Sequence, residues 1–334
     1  MNLNKEFAYD YVVFDGFDST IALKTNGYYY ICTLDLRNKE NVTLVTYPLD
    51  YSFFFIRLLF AIHHSSFINR FIKLPFKSIW FPFYFKKNKL SEKRKCFVIF
   101  NLKLSLDYLK YIKNNYPNSK IVIMHRDLLK THNTEIVKNA IADIEMTIDI
   151  AEAEKYEMEY FCEFESKIDI RQEGNKRYDV FFAGKAKDRL PKLVRAYDIL
   201  SKAGLNCFFY ITNVPKEKRV IRDGIKYASK NMLYFEMLKY SVSSRCLLEI
   251  NQQGALGYTS RFLEAVMYDI KLITDNASVL DSKFYNPKNI QYISDVDKID
   301  PKFVKNREFD SFNYNDEFSP IYLLNDIDLK LSKK

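Results

Sequence analysis

At 334 residues and 39.7 kDa the chain is too long for one domain of typical size and suits two of about 100–200 residues each. With 48% hydrophobic, 28% charged and 16% aromatic residues it has the composition of a packed globular protein, which excludes a disordered or fibrous chain. A net charge of +9 points to anionic partners, whether nucleic acid, a membrane surface or phosphorylated substrates.

The first residues, Met1-Asn-Leu-Asn-Lys-Glu-Phe7, lack the apolar core of a signal peptide, and no stretch reaches the roughly 18 apolar residues that a spanning helix needs. The expectation is a soluble, cytoplasmic protein. In the first half, apolar runs predict strands at 11–14, 28–31, 42–45, 97–100, 121–124 and 146–150. Asn26-Gly27 allows either a hairpin turn or the cap of a short helix begun at Asp18-Ser19, of which the helix is preferred. Leu106, Leu109 and Ile112 recur at helical spacing, and a further helix is predicted from Thr134 to Asp143.

Residues 51–91 form the least ordinary segment. They hold no Asp or Glu, while Arg57, Arg70, Lys73, Lys77, Lys86, Lys87 and Lys89 alternate with many aromatic rings. Cations attract anionic headgroups and aromatic rings settle at a bilayer interface, so membrane docking is favoured over a buried helix with a basic rim and over nucleic-acid binding.

The polar stretch 169–177 reads as an interdomain linker, which divides the chain into domains 1–170 and 171–334. Beyond it, strands are predicted at 178–183, 207–211, 246–250, 271–274 and 290–293. Helices are predicted from Leu190 to Gly204 and around 216–228, 234–242 and 259–268. Strand and helix alternate in both halves, the pattern of doubly wound parallel sheets. In such sheets ligands bind beyond the carboxyl ends of the strands, which directs attention to the loops after Ala183, Ile250 and Thr274.

The first of these loops, Gly184-Lys185-Ala-Lys187-Asp-Arg189, puts cations where they oppose a helix dipole, and an anion held by Lys185 and Arg189 would account for them. The second, Gly254-Ala-Leu-Gly257-Tyr258-Thr259-Ser-Arg261, is expected to offer a diphosphate the backbone N–H groups of Gly257, Tyr258 and Thr259, at a helix start capped by Thr259 or Ser260, and the side chain of Arg261. Glu264, one turn further, is placed to accept two ribose hydroxyls. In the first half, the strand 121–124 delivers His125-Arg126-Asp127 to its carboxyl end. His125 or Asp127 there, or Asp15 after the first strand, are candidates for the base an acceptor hydroxyl requires, and Arg126 for holding a phosphate. His63, His64, His132 and the lone Asp295-Val-Asp297 lack metal-ligand spacing. The five cysteines (Cys32, Cys96, Cys162, Cys207, Cys246) form no CxxC pair and read as small buried residues in a reducing compartment.

The order Gly184-Lys185 with Arg189, then Gly254 to Arg261-Phe-Leu-Glu264-Ala265, then Lys271-Leu-Ile-Thr274 resembles the donor-binding domain of GT-B glycosyltransferases of bacterial capsule and lipopolysaccharide synthesis. The resemblance covers about residues 178–295. It implies two Rossmann-like α/β domains facing a cleft, with Lys185 and Arg189 on the donor diphosphate and Glu264 on the ribose. One position departs: where many retaining members carry a second Glu, seven residues before the first, this chain has Gly257. The implied activity is metal-independent transfer of a sugar from a nucleotide diphosphate sugar to a cell-surface glycan or lipid-linked acceptor at the inner face of the membrane. It needs no cofactor and no nucleic acid. Transfer of a polyol phosphate or another nucleotide-activated group, or a non-catalytic polysaccharide-assembly or RNA-binding role, are the alternatives.

Overall fold

The computed structural model describes residues 7–14, 31–45, 49, 52–72, 74–85, 93–100, 105–126, 129, 141–170, 177–252 and 257–333. The chain divides into two compact units, one of residues 1–25, 29–161 and 319–334, the other of 26–28 and 162–318. Each is built on a six-stranded, wholly parallel sheet among the described residues. The fold class is therefore α/β, as the alternation of apolar runs and amphipathic helices predicts.

The first sheet contains β1 (Asp10–Phe14), β2 (Val42–Leu44), β3 (Lys95–Phe100), β4 (Lys120–His125), β5 (Ile144–Thr147) and β6 (Glu159–Tyr160), in the order β2-β1-β3-β4-β5-β6. The chain winds outward from β1 to β2, then crosses back to β3, so the order reverses between β1 and β3. β3 and β4 are almost wholly buried, because apolar side chains on both strand faces meet covering layers. One layer comes from α1 (Phe54–His64), the 3-10 stretch Lys77–Phe83 and α3 (Leu106–Asn115), with α2 (Ser66–Phe71) following α1 outside this core. Ser105 caps α3 through its hydroxyl, and Tyr108, Leu109 and Ile112 form the buried stripe.

The second sheet contains β7 (Tyr178–Lys185), β8 (Cys207–Thr212), β9 (Ile225–Ala228), β10 (Ser244–Glu249), β11 (Lys271–Thr274) and β12 (Ile290–Tyr292), in the order β12-β11-β10-β7-β8-β9. Counted from β7 this is the 3-2-1-4-5-6 order of dinucleotide-binding domains, with its switch between β7 and β10. Helices α5 (Leu190–Lys202), α6 (Tyr234–Val242) and α7 (Ser260–Met267) connect and cover the strands. On α5 the side chains of Leu193, Ala196, Tyr197 and Leu200 enter a core with Phe209 and Leu248. Full burial of each large one is worth about 1.5–3 kcal/mol.

Several expectations are corrected. The stretch around 216–228 is a 3-10 turn at Lys216–Lys218 followed by strand β9, not a helix. Gly224 opens β9 where a side chain cannot fit: a Cβ there would lie 2.2 Å from the Cys207 carbonyl oxygen. Ile31, placed in a strand by its apolar neighbours, is helical with Cys32, while 28–30 lie outside the described residues. The run 146–150 is strand only to Thr147, because Asp149 accepts a hydrogen bond from Glu152 N and caps α4 (Ile150–Tyr156). Residues 141–143 are not helical; the rest of the helix expected over 134–143, and the turn or helix at 18–27, lie outside the described residues. The short α8 (Pro301–Lys305) follows β12. Finally, α9 (Pro320–Ser332), within the stretch 171–334 read as the second domain, lies in the first compact unit, where Asp328 accepts hydrogen bonds from the Tyr11 hydroxyl and the Ala8 amide.

Candidate functional site

The carboxyl ends of β7, β10 and β11 gather the polar residues of the second unit around its switch point. β7 runs two residues further than expected, through Gly184 and Lys185, so Lys185 stands at a strand end rather than in a helix. The chain then turns through Lys187 at φ 50°, a left-handed conformation that costs a non-glycine residue about 1–2 kcal/mol. Such strain collects where a loop must hold a particular shape for function. Lys185 and Lys187 are exposed, and Lys187 Nζ donates to the Gln252 side chain on the loop after β10.

Arg189 has a different role from its lysine neighbours. It is the N-cap residue of α5, with Nη2 donating to the Lys185 carbonyl at 3.0 Å and Nη1 donating to that of Ile250. The guanidinium also lies 5.7 Å from the Phe182 ring centroid. It therefore ties the loop after β7 to the loop after β10. Burial pulls its pKa down, and Asp188, Asp275 and Glu249 oppose that shift.

The second loop is held just as closely. Thr259 caps α7 as expected, its hydroxyl oxygen accepting from Arg261 N at 3.2 Å. The same hydroxyl donates to Glu249, and so does that of Thr274, making Glu249 the buried hub between β10, β11 and α7. Burial pushes the Glu249 carboxyl above its usual range, against the two hydroxyl donors. Gly257, at φ 98°, adopts a backbone that only glycine takes without strain. Its N–H donates to Ser278 at 3.0 Å and its carbonyl accepts from Asn276 at 2.9 Å. The Gly257 amide expected to meet a ligand is thus spent on the protein. The Tyr258 ring packs 4.7 Å from that of Phe262, and burial raises its phenol pKa.

Arg261 and Glu264 form a buried pair. Arg261 Nη1 donates to Glu264 and, at 3.2 Å, to the Ser241 hydroxyl, while Nη2 donates to the Ala183 carbonyl at 3.1 Å. Glu264 also accepts from the Tyr234 and Ser241 hydroxyls, at 3.3 and 3.2 Å, and is 0% exposed. Glu264 was expected at a ribose and Arg261 at a diphosphate. In the structure both side chains are committed beneath the loops, because α7 is buried on nearly every side and leaves Glu264 no solvent-facing position. Residues that the motifs did not single out complete the cluster. Asp275 accepts from Asn251 N at 2.7 Å and lies 3.6 Å from Lys192 Nζ.

In the first unit, His125 ends β4 and is fully buried, with Nε2 3.3 Å from Glu145 and Nδ1 without a partner among the described residues. Arg126 is also buried, its guanidinium 3.8 Å from Cys32 Sγ and 5.8 Å from the Phe100 ring centroid. Asp127 and Asp15 lie outside the described residues; Asp15 follows β1, one of the two strands at this sheet's switch point. Among the described residues no three or more His, Cys, Asp or Glu side chains are grouped to hold a metal ion. Asp297 pairs with Arg195 at 2.5 Å and Asp295 caps a 3-10 turn. His63 accepts from Trp80 at 2.9 Å and lies 2.7 Å from the Pro75 carbonyl.

The second unit is thus a doubly wound α/β domain with a cationic, strained loop at its switch point. Among solved structures the chain is similar to an alpha-glucosyltransferase in complex with UDP, at 11% identity and TM-score 0.47, over 97% of this chain and 90% of that one. It is also similar to a UDP-forming trehalose-phosphate synthase from Burkholderia xenovorans, at 10% identity and TM-score 0.46, over 97% of this chain and 95% of the other. No family model and no curated protein matches the chain.

Proposed function

We propose that the protein is a glycosyltransferase of GT-B type that takes a sugar from a nucleotide diphosphate sugar bound on the second unit. The observation that carries this reading is the placement of Lys185 and Lys187, exposed, beside the N-terminus of α5 at the reversal of strand order between β7 and β10. Two ammonium groups there neutralise charge that develops on a diphosphate as the glycosidic bond breaks, so the transfer proceeds without a metal. Arg189 serves by fixing the two loops to one another, and Glu264 by fixing Arg261 under them. Asp15 and Asp127 are the proposed proton acceptors for the incoming hydroxyl. His125, enclosed beside Glu145, supports the segment leading to Asp127. The proposed acceptor is a growing surface glycan or a lipid-linked sugar at the inner face of the cell membrane.

The test is a thermal-shift screen of the full chain against nucleotide diphosphate sugars and free nucleoside diphosphates without added metal. Selective stabilisation by one nucleotide, weakened in Lys185→Ala/Lys187→Ala, is the expected result; a flat panel would overturn the reading. Product analysis with the donor so found separates sugar transfer from transfer of a polyol phosphate, which the same phosphate site would serve.

A further inference from the structure

The face of the first unit built from residues 53–83 exposes large rings on an ordered scaffold. Phe53, Phe55, Phe67, Phe71 and Phe76 are 83, 75, 72, 72 and 77% exposed. At about 200 Å² per ring, these five alone present roughly 760 Å² of aromatic surface to solvent. The scaffold beneath them is tied down. Phe60, Phe81, Tyr84 and Phe85 are buried in the first unit's core. Trp80 Nε1 donates to His63, Asn69 Nδ2 donates to the His63 and Ser65 carbonyls, and Asn69 Oδ1 accepts from Leu74 N. The rings are therefore held outward by a fixed frame.

We infer that this face docks on an anionic lipid bilayer, the rings entering the boundary between headgroups and acyl chains while the exposed Arg70 and Lys77 meet lipid phosphates. The charge pattern selects that occupant over a second copy of the chain. Residues 51–91 contain seven Lys or Arg and no Asp or Glu. Among the described residues Arg70 and Lys77 are exposed on this face, and a face-to-face pair would set them against their own copies with no Asp or Glu of the segment as counter-charge, whereas an anionic membrane supplies both negative phosphates and an apolar layer. Nor does the segment span: no helix among the described residues is long and apolar enough to cross a membrane. Two short helices, one carrying Phe55 and the other Phe67 and Phe71, suit attachment in the plane of the interface. The inference concerns the first unit alone and does not rest on the sugar-nucleotide site, so either can fail without the other.

Trp80 is the chain's only tryptophan and lies within this segment, which makes its fluorescence a local probe. The full chain is titrated with vesicles of phosphatidylglycerol and phosphatidylcholine, with and without brominated acyl chains, and with phosphatidylcholine alone. Binding to the anionic vesicles with bromolipid quenching of Trp80, about tenfold or more weaker on neutral ones, is expected. Phe55→Ser/Phe67→Ser/Phe71→Ser and Arg70→Glu/Lys77→Glu are each expected to weaken it about tenfold or more with the Tm unchanged, since all five side chains are exposed. No binding to anionic vesicles overturns the inference, as do variants that bind like the parent. So does a parent dimer, measured by light scattering, that the triple Phe variant splits while vesicle binding is absent.

Discussion

Replacing Glu264 by Ala separates a structural from a ligand-binding role for this carboxylate. In the parent it is fully buried and satisfies Arg261, Tyr234 and Ser241 at once. Removing it leaves a guanidinium that is only 12% exposed without its counter-charge, next to Met237 Sδ and the Ala183 carbonyl. Breaking one side of such a pair costs about 3–5 kcal/mol, because the remaining charge stays desolvated. For a unit of this size each kcal/mol lowers Tm by roughly 2–4 °C, so Glu264→Ala is expected to melt on the order of 10 °C below the parent. Arg261→Ala should cost a similar amount by stranding the carboxylate. The double variant should lose less than the two single losses combined, since neither charge is then left alone. Thermal unfolding of the four proteins by circular dichroism, with a donor titration on each, is the assay. A Glu264→Ala protein that melts within about 2 °C of the parent yet no longer responds to sugar nucleotide would refute this reasoning and return Glu264 to the ribose.

Lys185→Ala/Lys187→Ala removes two exposed cations, so Tm should stay within about 1–2 °C while the Kd for the nucleotide rises about tenfold or more, measured by calorimetry. Arg189→Lys loses the forked bridge to the Lys185 and Ile250 carbonyls and should cost about 1.5–3 kcal/mol in urea unfolding, even though charge is retained. Glu249 has its pKa raised by burial, so the folded chain keeps this proton at pH values where the unfolded chain has lost it. That contribution is full below the ordinary Glu pKa of about 4.3 and is lost as pH rises through the folded value. Glu249→Gln removes it, so the Tm of the variant relative to the parent should climb as pH rises; parallel Tm curves for the two proteins would count against a raised pKa.

Most strands of both sheets were legible, because parallel strands buried on both faces read as continuous apolar runs, as at Phe97–Phe100 and Lys271–Thr274, whereas the two-residue β6 offers no such run and Ile31, apolar like a strand residue, is helical. Strand β9 was not legible either, since its one-residue approach to Cys207 depends on Gly224 and its polar residues mimic a helix boundary. The return of α9 to the first unit rests on contacts such as Tyr11 with Asp328, 317 residues apart, which no local pattern encodes. Local chemistry did narrow the cap to Thr259 or Ser260, of which Thr259 is the cap, because an N-cap is decided within three residues.

The candidate site divides along the same line. The loops that hold it follow from strand order, so loop positions could be anticipated from where apolar runs stop. Which polar side chains face a ligand depends instead on what packs beside them. Arg189, Arg261 and Glu264 are as polar in sequence as Lys185 and Lys187, yet the nearby Lys185 carbonyl and two carbonyls and two hydroxyls from distant segments consume their hydrogen bonds. Only the two lysines keep their ammonium groups at the surface. A cation motif at a switch point thus contains two populations, one that builds the loops and one that they present, and burial of the side chain separates them.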